Sequence, residues 1–291
     1  MIQRHIKAAV LLVMLFTFSF LLPIDHMHPI ETAMDSITQK SVKLPIIMYH
    51  SILNDPKKRD VYVTTAESFK KDLKYLKDNG FETVVVQDLI NYVNGVNTLP
   101  QKPVMITFDD GHYNNLFYAL PILEEIDMKA VISIVGKYAD AFSINPDPNP
   151  NYAYLSWDEI KQLKDSGRFE VQNHSYSMHT IGDRLGSRRR NGESEASYCL
   201  MFNEDALKQQ MLLQENCGIT PTAYVYPFGL VCPEAQDCLK QMEFSASMTC
   251  NERINLIQAG NPDSIFDLGR FNRSGTLTTG AFMKKLFKQL R

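Results

Sequence analysis

Short apolar runs alternate with amphipathic stretches along the chain from about residue 43 onward. The runs are rich in Val, Ile and aromatic residues, and their short length is typical of strands rather than helices. They cover residues 44–50, 82–86, 103–108, 130–135, 169–172, 222–226, 245–249 and 265–271. Strands that alternate with helices predict an α/β fold with a parallel sheet, either an open doubly wound sheet or a barrel.

The amphipathic stretches between these runs predict helices. Over residues 64–80, Phe69, Leu73 and Leu76 recur at the three- and four-residue spacing that places apolar side chains on one face of a helix. Further helices are predicted over residues 88–94, 114–126 with a break near Pro121, 156–167, 204–218 and 279–290, with a polar loop over 181–195.

The N-terminal segment differs from the rest because its apolar run is uncharged over residues 8–22 and follows Arg4 and Lys7. This pattern is typical of a secretory signal peptide, and the run is slightly shorter than the roughly 20 residues of a spanning helix. No clear cleavage motif follows, so a signal peptide and an uncleaved membrane anchor both stay open. Either one predicts an extracytoplasmic protein, secreted or anchored to the outer face of the membrane. The predicted segments are a signal or anchor over 1–30, a linker over 31–42 and a catalytic domain over 43–291.

Composition narrows the function classes only a little. The net charge of -3, from 30 basic and 33 acidic residues, gives no indication of a nucleic-acid partner. The five cysteines match no zinc-ribbon spacing, and their odd number leaves at least one unpaired. We expect most of them to be small buried apolar residues, with a Cys232–Cys238 bridge as the alternative.

The stretch TFDDG ends one predicted strand with two neighbouring acids, Asp109 and Asp110. Because successive side chains of a regular strand point to opposite faces, two adjacent carboxylates can serve one site only if the backbone bends there. Gly111 permits that bend. A plain turn is the simpler explanation for an acid pair before glycine, so the pair needs partners elsewhere to count as a site.

Two histidines follow the predicted strand over residues 169–172. His174 and His179 would lie about 140° apart on a helix, but in a loop they can converge. With Asp110 they would offer two imidazoles and one carboxylate, a ligand set that zinc or a similar divalent metal accepts while keeping room for water and substrate. Asp109 would then stay ionised and act as a general base.

The motifs TFDDG, HSYSMH and YPFG resemble, in this order, the first three motifs of the polysaccharide deacetylases, the NodB-homology domain of carbohydrate esterase family 4. The early MYH motif over residues 48–50 resembles a subgroup of exported deacetylases. The similarity covers residues from about 43 to about 275. It implies a distorted (β/α) barrel with about seven parallel strands, and metal-dependent hydrolysis of N-acetyl groups on amino-sugar polymers.

The resemblance also implies a role for each motif residue. Asp109 matches the family's base and Asp110 its acidic metal ligand, while His174 and His179 match the other two ligands. Phe228, the aromatic residue of YPFG, implies a backbone N–H directed at the oxyanion of the transition state. Zinc is the expected metal, and cobalt and nickel accept the same ligands.

The chain departs from the family pattern at three places. Val225 stands where an arginine usually braces the base, and the late tryptophan is missing because Trp157 precedes the histidine motif. No histidine follows His179, although the family's general acid is a late histidine. Arg270 and Arg273 are candidates for the missing brace, with positions on the surface as the alternative.

We hypothesise that His50 supplies the missing general acid, since it is the spare histidine at a predicted strand end. A structural role for His50 is the alternative, and His112, next to Gly111, is a second candidate acid.

Taken together, these residues predict an exported, metal-dependent polysaccharide N-deacetylase. Its expected partner is an N-acetylated polysaccharide such as peptidoglycan or poly-N-acetylglucosamine, and not nucleic acid. Two alternatives stay open, a catalytically impaired glycan-binding homologue and a deacylase for a small amide. The apolar N-terminus allows membrane anchoring, and the sequence does not determine the oligomeric state.

Overall fold

A computed structural model describes residues 41–290 of the chain. The strands are β1 Val42–Leu44, β2 Ile46–Tyr49, β3 Ser51–Leu53, β4 Val63–Thr65, β5 Glu82–Thr83, β6 Pro103–Phe108, β7 Ala130–Ile134, β8 Phe169–Asn173, β9 Ala223–Val225, β10 Ala246–Met248, β11 Asn255–Ile257 and β12 Phe271–Asn272. The helices are α1 Ala66–Asp78, α2 Val86–Val93, α3 Leu120–Ile126, α4 Gly136–Ile144, α5 Trp157–Asp165, α6 Glu195–Cys217, α7 Pro233–Gln241 and α8 Thr279–Leu290.

Seven strands form a curled parallel sheet in the order β10-β9-β8-β7-β6-β2-β12. The short strand β5 also pairs with β6. Helices separate most of these strands along the chain, as parallel connections require. The predicted α/β class with about seven parallel strands is confirmed.

The chain just before β12 joins the two edges of this sheet. The Leu268 N–H donates to the Ser247 carbonyl at 2.8 Å, and the Thr249 N–H donates to the Leu268 carbonyl at 2.8 Å, so this segment pairs with β10. Three residues later β12 pairs with β2 at the other edge. The sheet therefore curls into a distorted barrel, and residues 268–272 cross from β10 to β2.

Alternate residues of the strands enter two apolar clusters. On β6, Ile106 belongs to a cluster that the sheet shares with α1, α3, α5 and α8, whereas Met105 belongs to a second cluster with Val131 and Val225. Every residue of β6 is buried. This burial on both faces is what a near-continuous apolar run predicts for a parallel strand.

Several predicted boundaries are wrong for local reasons. The run over residues 82–86 keeps strand geometry only at β5, because the Asp88 carboxylate accepts the Val85 N–H at 2.9 Å and starts α2. The break expected near Pro121 is a π-helical turn over Asn115–Ala119, and Pro121 itself fits the first turn of α3.

Helix α6 begins inside the predicted polar loop. The Ser194 hydroxyl caps it by accepting the Ser197 N–H at 3.2 Å, which places Glu195 in the first turn. Helices α4 and α7 were not predicted. They begin at Gly136 and Pro233, residue types that usually mark turns. Each has only nine residues, too few for a clear repeat of apolar positions.

A buried ion pair links the residue after β12 to α1, and the last residue of β2 bonds to the same acid. Arg273 Nε lies 2.6 Å from Asp72 Oδ2, and both side chains are fully buried. The Tyr49 hydroxyl donates to the same carboxylate at 3.0 Å, one residue before His50. A surface position for Arg273 is therefore wrong, but its partner is Asp72 rather than the candidate base.

The predicted signal or anchor and most of the predicted linker lie outside the described residues. Within residues 41–290, no helix is both long enough and apolar enough to cross a membrane.

Candidate metal centre and active site

The carboxyl ends of β6 and β8 bring Asp110, His174 and His179 together. Asp110 Oδ1 lies 3.1 Å from His179 Nε2 and 3.4 Å from His174 Nε2. One potential ligand atom from each residue lies within 4.8 Å of the others. The backbone bends here as the sequence requires, with positive φ at both Asp110 (73°) and Gly111 (76°). The strand thus ends so that Asp110 can reach the histidine loop.

The donor set fits a divalent cation. His174 Nδ1 lies 2.7 Å from the Val225 carbonyl, which can only accept, so Nδ1 carries a proton and Nε2 is left as a lone-pair donor. Asp110 Oδ1 is buried and lacks a hydrogen-bond partner among the described residues, although both imidazoles adjoin it. Oxygen and nitrogen lone pairs this close repel one another unless a proton or a metal cation lies between them.

The local electrostatics also favour a cation. Burial disfavours protonation of His174, but Asp110 and Asp109 outweigh burial and raise its pKa. Burial likewise disfavours ionisation of Asp110, yet the neighbouring His112 and His174 hold its pKa well below the usual range. Burial and the neighbouring His174 lower the pKa of His179 to about 4, so this imidazole is neutral at pH 7 and available as a ligand.

The histidine loop is held by two helices that flank it. The Asp205 carboxylate of α6 accepts the Tyr176 and Ser177 N–H groups, each at 2.8 Å. The Gly136 N–H at the start of α4 donates to the Ser175 carbonyl at 3.1 Å. Sequence reasoning missed these supports, because an acid on an amphipathic helix looks like any solvated residue.

Asp109 is buried and braced by Arg270. The guanidinium makes a bidentate contact, with Nη1 to Oδ1 at 2.7 Å and Nη2 to Oδ2 at 2.8 Å. The Ser133 hydroxyl donates to Oδ1 at 3.0 Å. Burial alone would raise the pKa of Asp109, but Arg270 outweighs it and lowers the pKa. Asp109 is therefore ionised at neutral pH, directly next to Asp110.

Arg270 makes the bracing contact with Asp109 that Val225 cannot make. It is fully buried, and its Nε donates to the Thr249 carbonyl at 2.9 Å. Val225, at the expected arginine position, instead offers its carbonyl to His174. The alternative that Arg270 lies on the surface is wrong.

His50 adjoins Asp109, whereas His112 adjoins Asp110. His50 Nε2 lies 4.0 Å from Asp109 Oδ2, and its Nδ1 is buried with no hydrogen-bond partner among residues 41–290. Burial lowers the pKa of His50, and the two aspartates partly offset this effect. His112 Nε2 lies 3.5 Å from Asp110 Oδ2, so it adjoins the candidate ligand rather than the candidate base.

Aromatic rings line the site on two sides. The Phe228 ring lies 4.3 Å from that of His179, and Phe228 has a positive φ of 59° in the turn Pro227–Gly229. On the other side, His112 stacks on Tyr154 at 4.8 Å. Trp157 is not part of this lining, since its indole N–H donates to Asp140 at 3.0 Å on the buried side of α5.

Comparison with known proteins assigns the chain to one family. Residues 96–247, just over half of the chain, match the profile of the family described as polysaccharide deacetylase. The chain belongs to the polysaccharide deacetylase family, which confirms the resemblance carried by the three motifs. Membership of the subgroup with an early MYH motif stays a prediction.

Particular relatives agree with this assignment. The chain is 21% identical over 238 residues to the poly-β-1,6-N-acetyl-D-glucosamine N-deacetylase of Escherichia coli strain K12, covering 75% of this chain and 35% of that protein. It is 21% identical over 219 residues to the Staphylococcus epidermidis enzyme of the same name, covering 75% and 72%. The chain thus spans only about a third of the E. coli relative's length.

The fold has solved counterparts. A de-N-acetylase from Aggregatibacter actinomycetemcomitans superposes with a TM-score of 0.71 at 22% identity, covering 84% of this chain and all of that one. This likeness concerns the fold, and it agrees with the distorted barrel described above.

Proposed function

We propose that the protein is a metal-dependent N-deacetylase that hydrolyses acetamide groups of N-acetylated amino-sugar polymers. The observation that carries this proposal is the pairing of two unlike carboxylates. Asp109 is kept ionised by Arg270, and the adjacent Asp110 converges with two imidazoles. Amide hydrolysis needs both a base and an electrophilic centre, and the two acids supply one position for each.

Asp110, His174 and His179 would hold the metal, which polarises a carbonyl and acidifies water when bound. Zinc is our first choice, and cobalt and nickel suit the same ligands. The ligand set retains positions for water and substrate, as catalytic zinc sites require.

Asp109 would remove the proton from the attacking water, since its carboxylate is ionised and lies beside the ligand set. The Phe228 backbone N–H would donate to the developing oxyanion, a contact typically worth about 2.7–4 kcal/mol in the transition state. His50 would protonate the departing amine, because it lies next to Asp109 and can receive the proton that the base has taken up.

The relatives favour poly-N-acetylglucosamine as the polymer. The E. coli and S. epidermidis proteins are named for poly-β-1,6-N-acetyl-D-glucosamine. Peptidoglycan has the same acetamide group and is the competing substrate. We place the reaction outside the cytoplasm, because the basic start and the uncharged run over residues 8–22 are typical of exported chains.

The decisive experiment measures acetate release from β-1,6-linked N-acetylglucosamine oligomers of increasing length. We expect release with zinc or cobalt and loss of release after chelation, restored when the metal is returned. Release should increase with oligomer length if the site binds several sugars. Chitin oligomers and peptidoglycan fragments serve as linkage controls.

A glycan-binding protein without activity is the second candidate, favoured by the absence of the family's late histidine and tryptophan. Arg270 weakens this alternative, because it supplies the brace that Val225 does not. Oligomer binding without acetate release from the metal-loaded protein would establish the alternative and refute the enzyme.

Replacement of His50 tests the general acid. We expect His50→Ala and His50→Gln to lower kcat about 10²- to 10⁴-fold while zinc content stays unchanged, because a missing acid slows amine departure without removing a metal ligand. Acetate release and metal analysis on the same samples measure both effects. His112→Gln is the matched comparison, because His112 adjoins Asp110 rather than Asp109. Near-wild-type turnover in both His50 variants would end the proposal for His50.

A further inference from the structure

Two cysteine sulfurs meet between helices α6 and α7. Cys199 lies near the start of α6 and Cys238 lies on α7, and their Sγ atoms are 2.6 Å apart. Both residues are free thiols in the structure. An S–S bond measures about 2.05 Å, so a shift of roughly half an ångström brings these atoms to bonding distance.

We propose that Cys199 and Cys238 form a disulfide that ties α6 to α7. The two helices already pack against each other, with Phe202 of α6 and Leu239 of α7 in one buried apolar cluster. The partner of Cys238 is therefore Cys199, rather than the Cys232 that the sequence offered as an alternative. The bond concerns the fold and does not depend on the proposed activity.

The two thiols differ in exposure, and this difference decides which of them reacts first with a small-molecule disulfide. Cys199 is partly exposed, whereas Cys238 is 1% exposed. Burial and the adjacent Cys199 thiol raise the pKa of Cys238 to about 12. Cys199 is thus the thiol that a small-molecule disulfide reaches first, since thiolate fraction and access both govern the rate.

Oxidised glutathione can act as the oxidant that forms the bond by thiol–disulfide exchange. The Cys199 thiolate attacks one glutathione sulfur, which breaks the glutathione S–S bond and releases one reduced glutathione. Cys238 loses its proton and attacks the Cys199 sulfur of the mixed disulfide, which releases the second glutathione. Two electrons pass from the protein thiols to the oxidant, and both protons end on the glutathione thiols.

The bond would close a loop that contains one wall of the candidate site. Residues 199–238 include β9 and the turn Pro227–Gly229 with Phe228. At the Cys199 end, the neighbouring Tyr198 hydroxyl donates to the Ser187 carbonyl at 3.1 Å. The backbone at Gly186 lies so close to the Pro227 carbonyl that an added Cβ would come within 2.7 Å. The link therefore restrains the segment that packs Phe228 against His179.

The experiment equilibrates the full chain in a glutathione redox buffer, followed by alkylation, digestion and mass spectrometry. We expect two fewer alkylated thiols per chain and one peptide pair that joins residues 199 and 238. The oxidised protein should melt about 5–15 °C higher than the reduced protein, because the bond restricts the unfolded chain over a loop of about 40 residues.

Three variants make the test specific. Cys232→Ser should keep both the linked peptides and the melting shift, whereas Cys199→Ser and Cys238→Ser should lose both. If a variant fails to fold, the linked peptides of the wild-type chain still decide the question. Five alkylated thiols after oxidation, or a bridge that includes Cys232, would overturn the proposal.

Discussion

Asp110→Ala is expected to abolish tight binding of a divalent ion and to slow acetate release at least about a thousandfold, or about 4 kcal/mol of transition-state stabilisation. The reason is geometric. Asp110 Oδ1 lies 3.1 Å from His179 Nε2 and 3.4 Å from His174 Nε2, so its loss removes the negative ligand of the set. Metal content after dialysis and kcat measured on the same sample check the prediction.

Two further variants define what the result means. His179→Ala should behave like Asp110→Ala, because it removes another ligand from the same set. Asp183→Asn changes an exposed acid in the nearby polar loop and should leave metal content and rate unchanged. An Asp110→Ala protein that retains one zinc per chain and the wild-type rate would contradict the proposed metal centre.

Asp109→Asn is expected to lower kcat by about 10²- to 10⁴-fold while the metal stays bound. An amide cannot remove a proton from water, but Asp109 is not one of the three converging ligands. The variant also leaves the Arg270 charge buried without its partner, a change that typically costs about 3–5 kcal/mol of stability. Activity should therefore be measured at a temperature where circular dichroism shows the variant folded.

The chain offers a matched control for this ion pair. Asp127 and Arg168 lie 2.6 Å apart, close to the 2.7 Å of Asp109 and Arg270, but the Asp127 side chain is 76% exposed. Asp127→Asn should leave both rate and melting temperature essentially unchanged, since solvent screens exposed pairs. Equal effects of the two substitutions would contradict the special role of burial at Asp109.

The dependence on pH follows from the direction of the shift. The pKa of Asp109 is lower in the folded protein than in the unfolded chain. Its stabilising contribution is therefore complete above the unfolded pKa of about 3.9, and it is lost as the pH falls through the lower folded pKa. The melting difference between wild type and Asp109→Asn should accordingly shrink as the pH is lowered from about 5 toward 3.

The sequence was most informative where one local rule decides the structure. The buried strand β6 and the bend after it follow from an apolar run that ends in Asp109, Asp110 and Gly111. Helix α5 follows from the Ser156 cap, whose hydroxyl accepts the Glu159 N–H. In both cases the deciding residues are neighbours in the chain.

Prediction failed where contacts between residues distant in the chain determine the position of a side chain. Sequence spacing left Arg270 open between the site and the surface, and only the pairing of Leu268 with β10 and of β12 with β2 directs it to Asp109. The Asp205 support for the histidine loop is hidden for the same reason, because its partners lie nearly thirty residues earlier. The partner of Cys238 likewise depends on how α6 and α7 pack.

The segment over residues 268–272, which pairs with both β10 and β2, has a consequence for how the protein folds during synthesis. Asp109 and Arg270 are separated by 161 residues, and Arg270 lies on the segment that completes the ring. During synthesis the N-terminal strands emerge first, so the carboxylate is made long before its counter-charge. Until the segment over residues 268–272 docks, Asp109 lacks its Arg270 partner and must stay hydrated or take up a proton. The proposed activity would thus require that residues 268–272 pair with both β10 and β2.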